Sequence, residues 1–232
     1  MPATDMPDTT TARSSALPWI APFAAFMLWM AIWPIIDLAQ PWEEVLRVGL
    51  LAVVLLTVSR RVVFSLRVSR WIPSILVGLL VFALWILPEQ LWPGYRVHWL
   101  FQNAVTGETV SSIPAEWLSN PLVLSLRITR AALLVPLLEE LFWRGFLPRW
   151  VVNNDWERVP MGTYNTLAFV GTAVLFASEH GPYWDVGLMC GLIYNWYMYK
   201  TKSLGDLVLT HAVTNAALSA FVVVTGQYAF WM

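Results

Sequence analysis

Apolar residues form long blocks along most of this chain, and short polar segments separate the blocks. A helix that crosses a bilayer needs about 20 mostly apolar residues. Seven blocks reach or approach this length: residues 17–36, 45–58, 71–87, 131–150, 164–180, 186–199 and 204–224. The pattern therefore predicts an all-α, polytopic membrane helix bundle with about seven transmembrane helices.

Composition narrows the class of protein. Of the 232 residues, 58% are hydrophobic and 12% are charged. A typical soluble domain has about 25% charged residues, so an integral membrane protein is indicated. The net charge of -1 gives no sign of nucleic-acid binding. The single cysteine excludes an intrachain disulfide and a cysteine-rich metal site.

The chain has no obvious internal division. Residues 1–16 are polar, and we expect them to form a disordered N-terminal tail. No long linker or repeat of fixed period interrupts the remainder. We therefore predict a single integral membrane domain at residues 17–232, with a motif core at residues 131–225.

The basic residues are distributed unevenly among the connections. Most of them follow the second, fourth and sixth predicted spans: Arg60, Arg61, Arg67, Arg70, Arg149, Arg158, Lys200 and Lys202. Connections that are rich in Lys and Arg stay on the cytoplasmic side of a membrane. We therefore expect a cytoplasmic N-terminus.

The fourth predicted span contains three ionisable residues within the stretch VPLLEELFWRGFLPRW. Glu140 and Arg144 are four residues apart, so they share one helix face and can neutralise each other. Glu139 points elsewhere, and because an isolated carboxylate in lipid is costly, we expect it to face a buried polar cavity. Pro136 cannot donate a backbone hydrogen bond, which frees a carbonyl near Ala132 and helps to open that space.

Two of the three histidines lie in predicted spans, His180 in FASEHG and His211 in HAVTN. His211 and Asn215 share a helix face, and Phe176, one turn before His180, can form a wall of the same pocket. One carboxylate, two imidazoles and an amide suffice for hydrolysis of an amide bond by water. Glu139 would be the general base, and His180 would orient or polarise the water. His211 and Asn215 would donate to the developing oxyanion.

Each of these residues also has a purely structural interpretation. A Glu–Arg pair in a membrane helix often joins structural elements, and we expect this role for Glu140 and Arg144. A lone histidine within the membrane can simply hydrogen-bond a neighbouring helix. Glu179 adjoins His180, but a helix would turn it about 100° away, so we leave it outside the core site. The stretch GLMCG fits a close contact between two helices.

The predicted spans place the two histidines at different depths. His180 falls near the outer end of the fifth span, whereas His211 falls near the inner start of the seventh. Either the span boundaries differ by a turn or two, or the stretch HGPYW is unwound inside the protein. Gly181 and Pro182 favour the unwound alternative, since both residues disfavour helix.

The ordered motifs Glu-Glu-x-x-x-Arg, Phe-x-x-x-His and His-x-x-x-Asn resemble the signature of the CAAX protease and bacteriocin-processing family, the intramembrane glutamic endopeptidases. The residues in these motifs are Glu139, Glu140, Arg144, Phe176, His180, His211 and Asn215. The resemblance implies that Glu139 and His180 activate a water molecule. It implies that His211 and Asn215 form an oxyanion hole, and that neither a metal nor another cofactor takes part.

A narrower resemblance covers the chain from about residue 135 to its end. EELFWRGFLPRW, FASEHG, GLIYNWYMYKTKSL and HAVTNAALSAFVVVTGQYAFW resemble bacterial CAAX-protease-related proteins that accompany exosortase and extracellular polysaccharide systems. This implies an endopeptidase of the bacterial inner membrane that acts on a membrane-associated protein or peptide. It also implies a link to such a system. A prenylated substrate is not implied, because bacteria generally lack protein prenylation.

Two alternatives to this reading stay open. In the first, the same hydrolysis depends on a metal with Glu139, His180 and His211 as ligands, a donor set that zinc accepts. The chain lacks the His-Glu-x-x-His motif typical of such enzymes. In the second, the protein is a non-catalytic membrane scaffold or immunity factor, and its polar residues serve helix packing or the binding of a partner.

Overall fold

A computed structural model describes residues 15–36 and 38–231 of the protein. The predicted N-terminal tail lies outside these residues, except for Ser15 and Ala16. Within the described part of the chain, the only contact of β type is an isolated bridge between Asn103 and Gly107. All other regular structure there is helical, which confirms the predicted all-α class.

Eight helices make up most of the described chain. They are α1 (Leu17–Ile36), α2 (Trp42–Thr57), α3 (Arg60–Ser65), α4 (Trp71–Leu91), α5 (Pro121–Val152), α6 (Thr166–Ser178), α7 (Trp184–Thr201) and α8 (Leu204–Thr225). Each predicted span overlaps one of these helices. The short α3 corresponds to no predicted span. Three of them, α4, α5 and α8, are long and apolar enough to cross a membrane. The membrane helix bundle is thereby confirmed, and the count of seven spans stays a prediction.

The surface and the interior of α4 differ in the manner of a membrane protein. Ile72 is 72% exposed and Leu76 is 62% exposed, whereas the small residues Ser74 and Gly78 are buried. Exposed apolar surface of this kind suits lipid rather than water. Gly78 packs directly on the backbone of Thr210 in α8, where a Cβ atom would overlap. Small residues thus bring α4 and α8 close together.

Charged side chains are buried between α2 and α5. Arg130 donates from Nε and Nη2 to the two carboxylate oxygens of Glu44, at 3.0 and 2.7 Å. Arg47 Nε lies 3.3 Å from Glu43 Oε1 on the same helix. Pairing of this kind makes buried charges tolerable in the interior of a bundle. The hydrophobic pattern did not reveal the pair between α2 and α5, because its members are far apart in sequence.

The helix α5 is the longest in the described chain, at 32 residues. The side chain of Asn120 caps its start by accepting hydrogen bonds from two backbone N–H groups of the first turn. Two π-turns, Arg130–Leu134 and Leu141–Phe146, interrupt it, and Glu139 and Glu140 lie between them. Turns of this type inside α-helices are frequent at functional sites. The same segment carries the first sequence motif.

The helices α6 and α7 pack closely against each other. A Cβ atom on Gly191 would lie 3.1 Å from Ala173 Cα, and one on Gly187 would lie 3.1 Å from the ring of His180. The close contact predicted from GLMCG is therefore confirmed. The helix α6 ends before His180, and a 3₁₀ turn at Gly181–Tyr183 leads into α7. The predicted unwinding of HGPYW is also confirmed.

Candidate functional site

A cavity of about 490 Å³ lies among the helices, and every helix except α3 contributes to its wall. Its volume is within the range of ligand sites in proteins. Five predicted site residues line it: Glu139, Phe176, His180, His211 and Asn215. Glu140 and Arg144 do not line the cavity and are buried behind its wall. The structure thus brings the predicted residues together in two layers, one facing the cavity and one behind it.

Glu139 faces the cavity with part of its carboxylate unpaired. The residue is 7% exposed, and its Oε2 atom has no hydrogen-bond partner among the described residues. His211 Nε2 lies 4.0 Å from that oxygen. Leaving a buried polar atom without a partner costs free energy, so such an atom calls for an explanation. Because Glu139 lines the cavity, its carboxylate can accept a proton from a water molecule there.

The neighbouring carboxylate of Glu140 is fully buried and paired. Its Oε1 atom lies 2.8 Å from His211 Nδ1 and 3.1 Å from Arg144 Nη1. Because a carboxylate accepts, His211 donates from Nδ1, which fixes the orientation of the ring and leaves Nε2 towards Glu139. The pairing of Glu140 with Arg144 is confirmed. The bond to His211 adds a contact that the sequence did not predict.

Arg144 connects three helices behind the cavity. Its Nε donates to Asn195 Oδ1 at 2.9 Å, and its guanidinium lies 4.4 Å from the centre of the Phe176 ring. Asn195 in turn donates from Nδ2 to Thr172 Oγ1 at 3.0 Å. These contacts join α5 to α6 and α7. Asn195 was missed from the sequence, although an amide inside an apolar span was a signal for a contact between helices.

His180 lies in the turn between α6 and α7 and is oriented by a backbone carbonyl. Its Nδ1 lies 2.7 Å from Phe176 O and therefore donates, which leaves Nε2 for a water molecule or substrate. The centres of the His180 and Phe176 rings are 4.6 Å apart, and those of His211 and Phe176 are 6.5 Å apart. Both imidazoles thus flank the same aromatic ring. The mismatch in depth that the predicted spans produced is removed by the unwound turn.

Asn215 satisfies a backbone carbonyl that a proline leaves without a partner. In a π-turn, each carbonyl accepts a hydrogen bond from the N–H group five residues later. For Ala131 that residue is Pro136, which has no N–H group. Asn215 Nδ2 donates to Ala131 O instead, at 2.9 Å. The freed carbonyl therefore belongs to the residue before Ala132. The second N–H of the Asn215 amide remains for a ligand in the cavity.

A comparison with known proteins adds an independent observation. The family model described as type II CAAX prenyl endopeptidase Rce1-like matches residues 121–217. We refer to residues 121–217 as the Rce1-like segment. The matched segment contains all three motifs, so the predicted CAAX protease family is confirmed. No curated protein and no solved structure shows significant similarity to the chain.

The Rce1-like segment does not form the cavity by itself. It comprises α5, α6, α7 and the first part of α8. Met30 of α1, Arg47 of α2 and Trp85 of α4 line the same cavity and lie outside the segment. The first half of the chain therefore completes a site whose motifs all lie in the second half.

Glu179 is a residue of the Rce1-like segment whose direction was predicted incorrectly from helix geometry. Because α6 ends at Ser178, the step of about 100° per residue does not apply to Glu179. The residue lines the same cavity as His180 and Glu139. The expectation that Glu179 points away from the site is therefore wrong. The cavity wall thus contains three glutamates, Glu43, Glu139 and Glu179.

Arg96, which lies outside the Rce1-like segment, contacts the turn that follows His180. Arg96 Nη1 donates to Pro182 O at 2.6 Å and to Asp185 Oδ1 at 2.8 Å. Its guanidinium also lies 4.0 Å from the centre of the Tyr183 ring. Sequence reasoning assigned it no role. The available signal was its position as a nearly isolated basic residue in an otherwise acidic connection.

The described residues do not contain a preformed metal site. In residues 15–36 and 38–231, no group of three or more His, Cys, Asp or Glu side chains is arranged to hold a metal ion. Glu139, His180 and His211, the ligands of the metal-dependent alternative, would have to move to form one. His211 would have to move although its Nδ1 is hydrogen-bonded to Glu140.

Proposed function

We propose that the protein is an intramembrane glutamic endopeptidase that hydrolyses a peptide bond of a membrane-associated protein or peptide. The Rce1-like match supports a CAAX-type intramembrane protease. The glutamate mechanism is supported by one observation above all. Glu139 lines a cavity that His180, His211 and Asn215 also line, and its carboxylate has a buried oxygen without a hydrogen-bond partner among the described residues.

The reaction begins with a water molecule in the cavity. Glu139 removes a proton from this water while the water oxygen attacks the carbonyl carbon of the substrate. His180 orients the water through Nε2, since its Nδ1 is engaged with a backbone carbonyl. A C–O bond forms in this step, and negative charge develops on the former carbonyl oxygen.

The developing oxyanion is stabilised by donors on α8. His211 Nε2–H and the second N–H of Asn215 donate to it. Because Nδ1 of His211 already donates to Glu140, this role requires the ring to carry protons on both nitrogens. Before proton transfer, the carboxylates of Glu139 and Glu140 balance the cations of Arg144 and His211, and afterwards the oxyanion replaces the negative charge that Glu139 has lost. A neutral set of this kind lowers the cost of burying the charges.

Collapse of the tetrahedral intermediate completes the reaction. The C–N bond breaks, and Glu139 passes its proton to the leaving amine. The products are one new carboxyl terminus and one new amino terminus, and no covalent bond to the enzyme forms. The mechanism uses no cofactor.

The cellular setting is part of the proposal. The distribution of Lys and Arg supports a cytoplasmic N-terminus. The resemblance of the C-terminal half supports a location in the bacterial inner membrane and a link to an exosortase or exopolysaccharide system. The substrate is expected to reach the cavity from the membrane phase or its surface.

The proposal is tested by mapping protein termini in cells. Membrane proteomes are compared between cells that express the wild type and cells that express Glu139→Gln, at matched expression and with both proteins folded. New termini found only with the wild type are expected, and they identify the substrate and the cleavage site. Identical termini in both cells, together with retained biological function in the mutant, would support the scaffold or immunity alternative instead.

The metal-dependent version has its own test. Protein that has been treated with chelator is analysed for metal content and assayed on the substrate that terminus mapping identifies. Full cleavage by metal-free protein is expected from the glutamate mechanism. Loss of cleavage that zinc restores would favour the metal-dependent version.

A further inference from the structure

The position of His180 depends on packing, because the residue lies outside regular helix. The turn is bounded by a hydrogen bond from His180 N to Ala177 O at 3.0 Å and one from Tyr183 N to His180 O at 2.8 Å. On one side, Gly187 lies directly against the imidazole, and a Cβ atom there would lie 3.1 Å from the ring. The other side of the turn is covered by the connection between α4 and α5.

Arg96 is the residue of this connection that contacts the turn most extensively. One nitrogen, Nη1, donates both to the carbonyl of Pro182 and to the carboxylate of Asp185. The guanidinium also stacks on Tyr183, at 4.0 Å from the ring centre. Arg96 is 2% exposed. Hydrogen bonds from a buried charged donor are among the stronger ones in proteins, so Arg96 restrains the turn at two consecutive residues and at the start of α7.

Arg96 is itself fixed by its neighbours. Its backbone N–H donates to Glu89 Oε2 at 3.2 Å, and its carbonyl accepts from Gln102 Nε2 at 2.8 Å. Tyr95 OH donates to the other oxygen of Asp185 at 3.2 Å. The guanidinium therefore acts from a defined backbone position and not from the end of a free loop.

The contact continues from Arg96 to the imidazole. The ring of Tyr183, on which Arg96 stacks, is stacked with Trp85 at 6.1 Å between ring centres and an interplanar angle of 12°. Trp85 in turn contacts the His180 ring edge to face, at 5.3 Å. A shift of the turn would therefore change both the backbone of His180 and the aromatic surface against which its ring packs.

We propose that Arg96 is a positioning residue for His180, and that the connection outside the Rce1-like segment sets the geometry of the imidazole that orients the water. The catalytic consequence rests on the proposed function, whereas the positioning does not. Loss of Arg96 should displace His180 and leave His211 in place, because His211 is fixed separately by Glu140.

The positioning is tested without any assay of activity. The chain has three histidines, so protein labelled with ¹⁵N in histidine gives ring signals from His98, His180 and His211 alone. A His180→Gln variant assigns the His180 signals. In Arg96→Met, the His180 signals are expected to shift or broaden, and the His211 signals are expected to stay where they are in the wild type. Unchanged His180 signals in folded Arg96→Met would overturn the proposal.

A matched control separates this effect from general loosening of the connection. Asn103 lies in the same connection, and its Oδ1 accepts from the backbone N–H groups of Val105 and Thr106. Within the described part of the chain, its side chain bonds to Trp99, Val105 and Thr106 and not to the turn at His180. The variant Asn103→Ala is therefore expected to leave the His180 signals unchanged. Equal shifts in Asn103→Ala and Arg96→Met would show a general effect and overturn the proposal.

The catalytic consequence is measured on the substrate found by terminus mapping. Small misplacement of a catalytic group can reduce rates by about a hundredfold, so kcat of Arg96→Met should fall between about tenfold and a hundredfold with little change in KM. Arg96→Lys retains the charge but lacks the planar guanidinium group. Its kcat is expected to lie between those of Arg96→Met and the wild type. Arg96→Lys also replaces Arg96→Met in these measurements if Arg96→Met does not fold. Absence of cleavage by the wild type, with shifted His180 signals in the variant, would refute the proposed function alone.

Discussion

The two faces of α5 present adjacent carboxylates in opposite circumstances. Glu140 is completely buried and accepts hydrogen bonds from Arg144 and His211. Glu139, the preceding residue, faces the cavity with one oxygen unpaired among the described residues. The helix turns about 100° between them, which places one carboxylate in the packed layer and the other at the cavity.

The difference indicates how a membrane protein can accommodate both structural and reactive charges. A carboxylate that accepts hydrogen bonds from two partners is stabilised by its surroundings and has no capacity left for chemistry. A carboxylate with an open oxygen is destabilised and therefore reactive towards a proton. We accordingly expect changes on the Glu140 face to act on stability, and changes on the Glu139 face to act on turnover.

The largest effect on stability is expected from Arg144→Met. This change removes the partner of a fully buried carboxylate, together with the bond to Asn195. Removal of one member of a buried ion pair costs about 3–5 kcal/mol, so unfolding in detergent should occur at a clearly lower temperature. Arg158→Met is the control, because the side chain of Arg158 is 80% exposed in its pair with Asp155. A loss in Arg144→Met no larger than in this control would contradict the structural role.

A smaller effect is expected from Asn215→Ala, because Asn215 of α8 both lines the cavity and bonds the backbone of α5. The change leaves the carbonyl of Ala131 without the donor that replaces the missing N–H of Pro136. An unsatisfied buried polar group costs about 1–3 kcal/mol, and the oxyanion donor is lost as well. Both the unfolding temperature and kcat should fall. A fall in unfolding temperature with full turnover would limit Asn215 to a structural role.

The smallest effect on stability is expected from Gly187→Ala. The added Cβ would lie 3.1 Å from the ring of His180, so the imidazole must move by a few tenths of an ångström. A gain in helix propensity of roughly 0.5–1 kcal/mol offsets part of the cost of crowding, and the unfolding temperature should change little. Turnover should fall nonetheless. Unaltered turnover in this variant would show that the exact position of His180 does not matter.

The sequence predicted the members of the site because their motifs are local. The spacings around Glu140 and Arg144, Phe176 and His180, and His211 and Asn215 each equal one helical turn. Each spacing predicts a shared helix face without knowledge of the tertiary structure, although His180 lies beyond the end of α6 and contacts Phe176 from the turn. The all-helical class followed equally directly from the long apolar blocks.

The contacts between distant segments could not be predicted in the same way. Glu140 meets His211 and Arg144 meets Asn195 only after the helices pack. Arg96 reaches the turn after His180 across 86 residues of sequence. Glu179 was misplaced because a helical step was applied beyond the end of α6. Periodicity describes one helix, and it carries no information on which turn of a second helix lies opposite.

The most direct test of the account is the turnover of Glu139→Gln on a substrate found by terminus mapping, measured together with its unfolding temperature. Removal of a general base is predicted to lower kcat by about 10²–10⁴-fold, while the variant unfolds at the temperature of the wild type. Glu140→Gln, measured in parallel, should unfold at a much lower temperature than the wild type, so that its main effect is on stability. Cleavage by folded Glu139→Gln at the rate of the wild type would contradict the central claim that the unpaired carboxylate activates water.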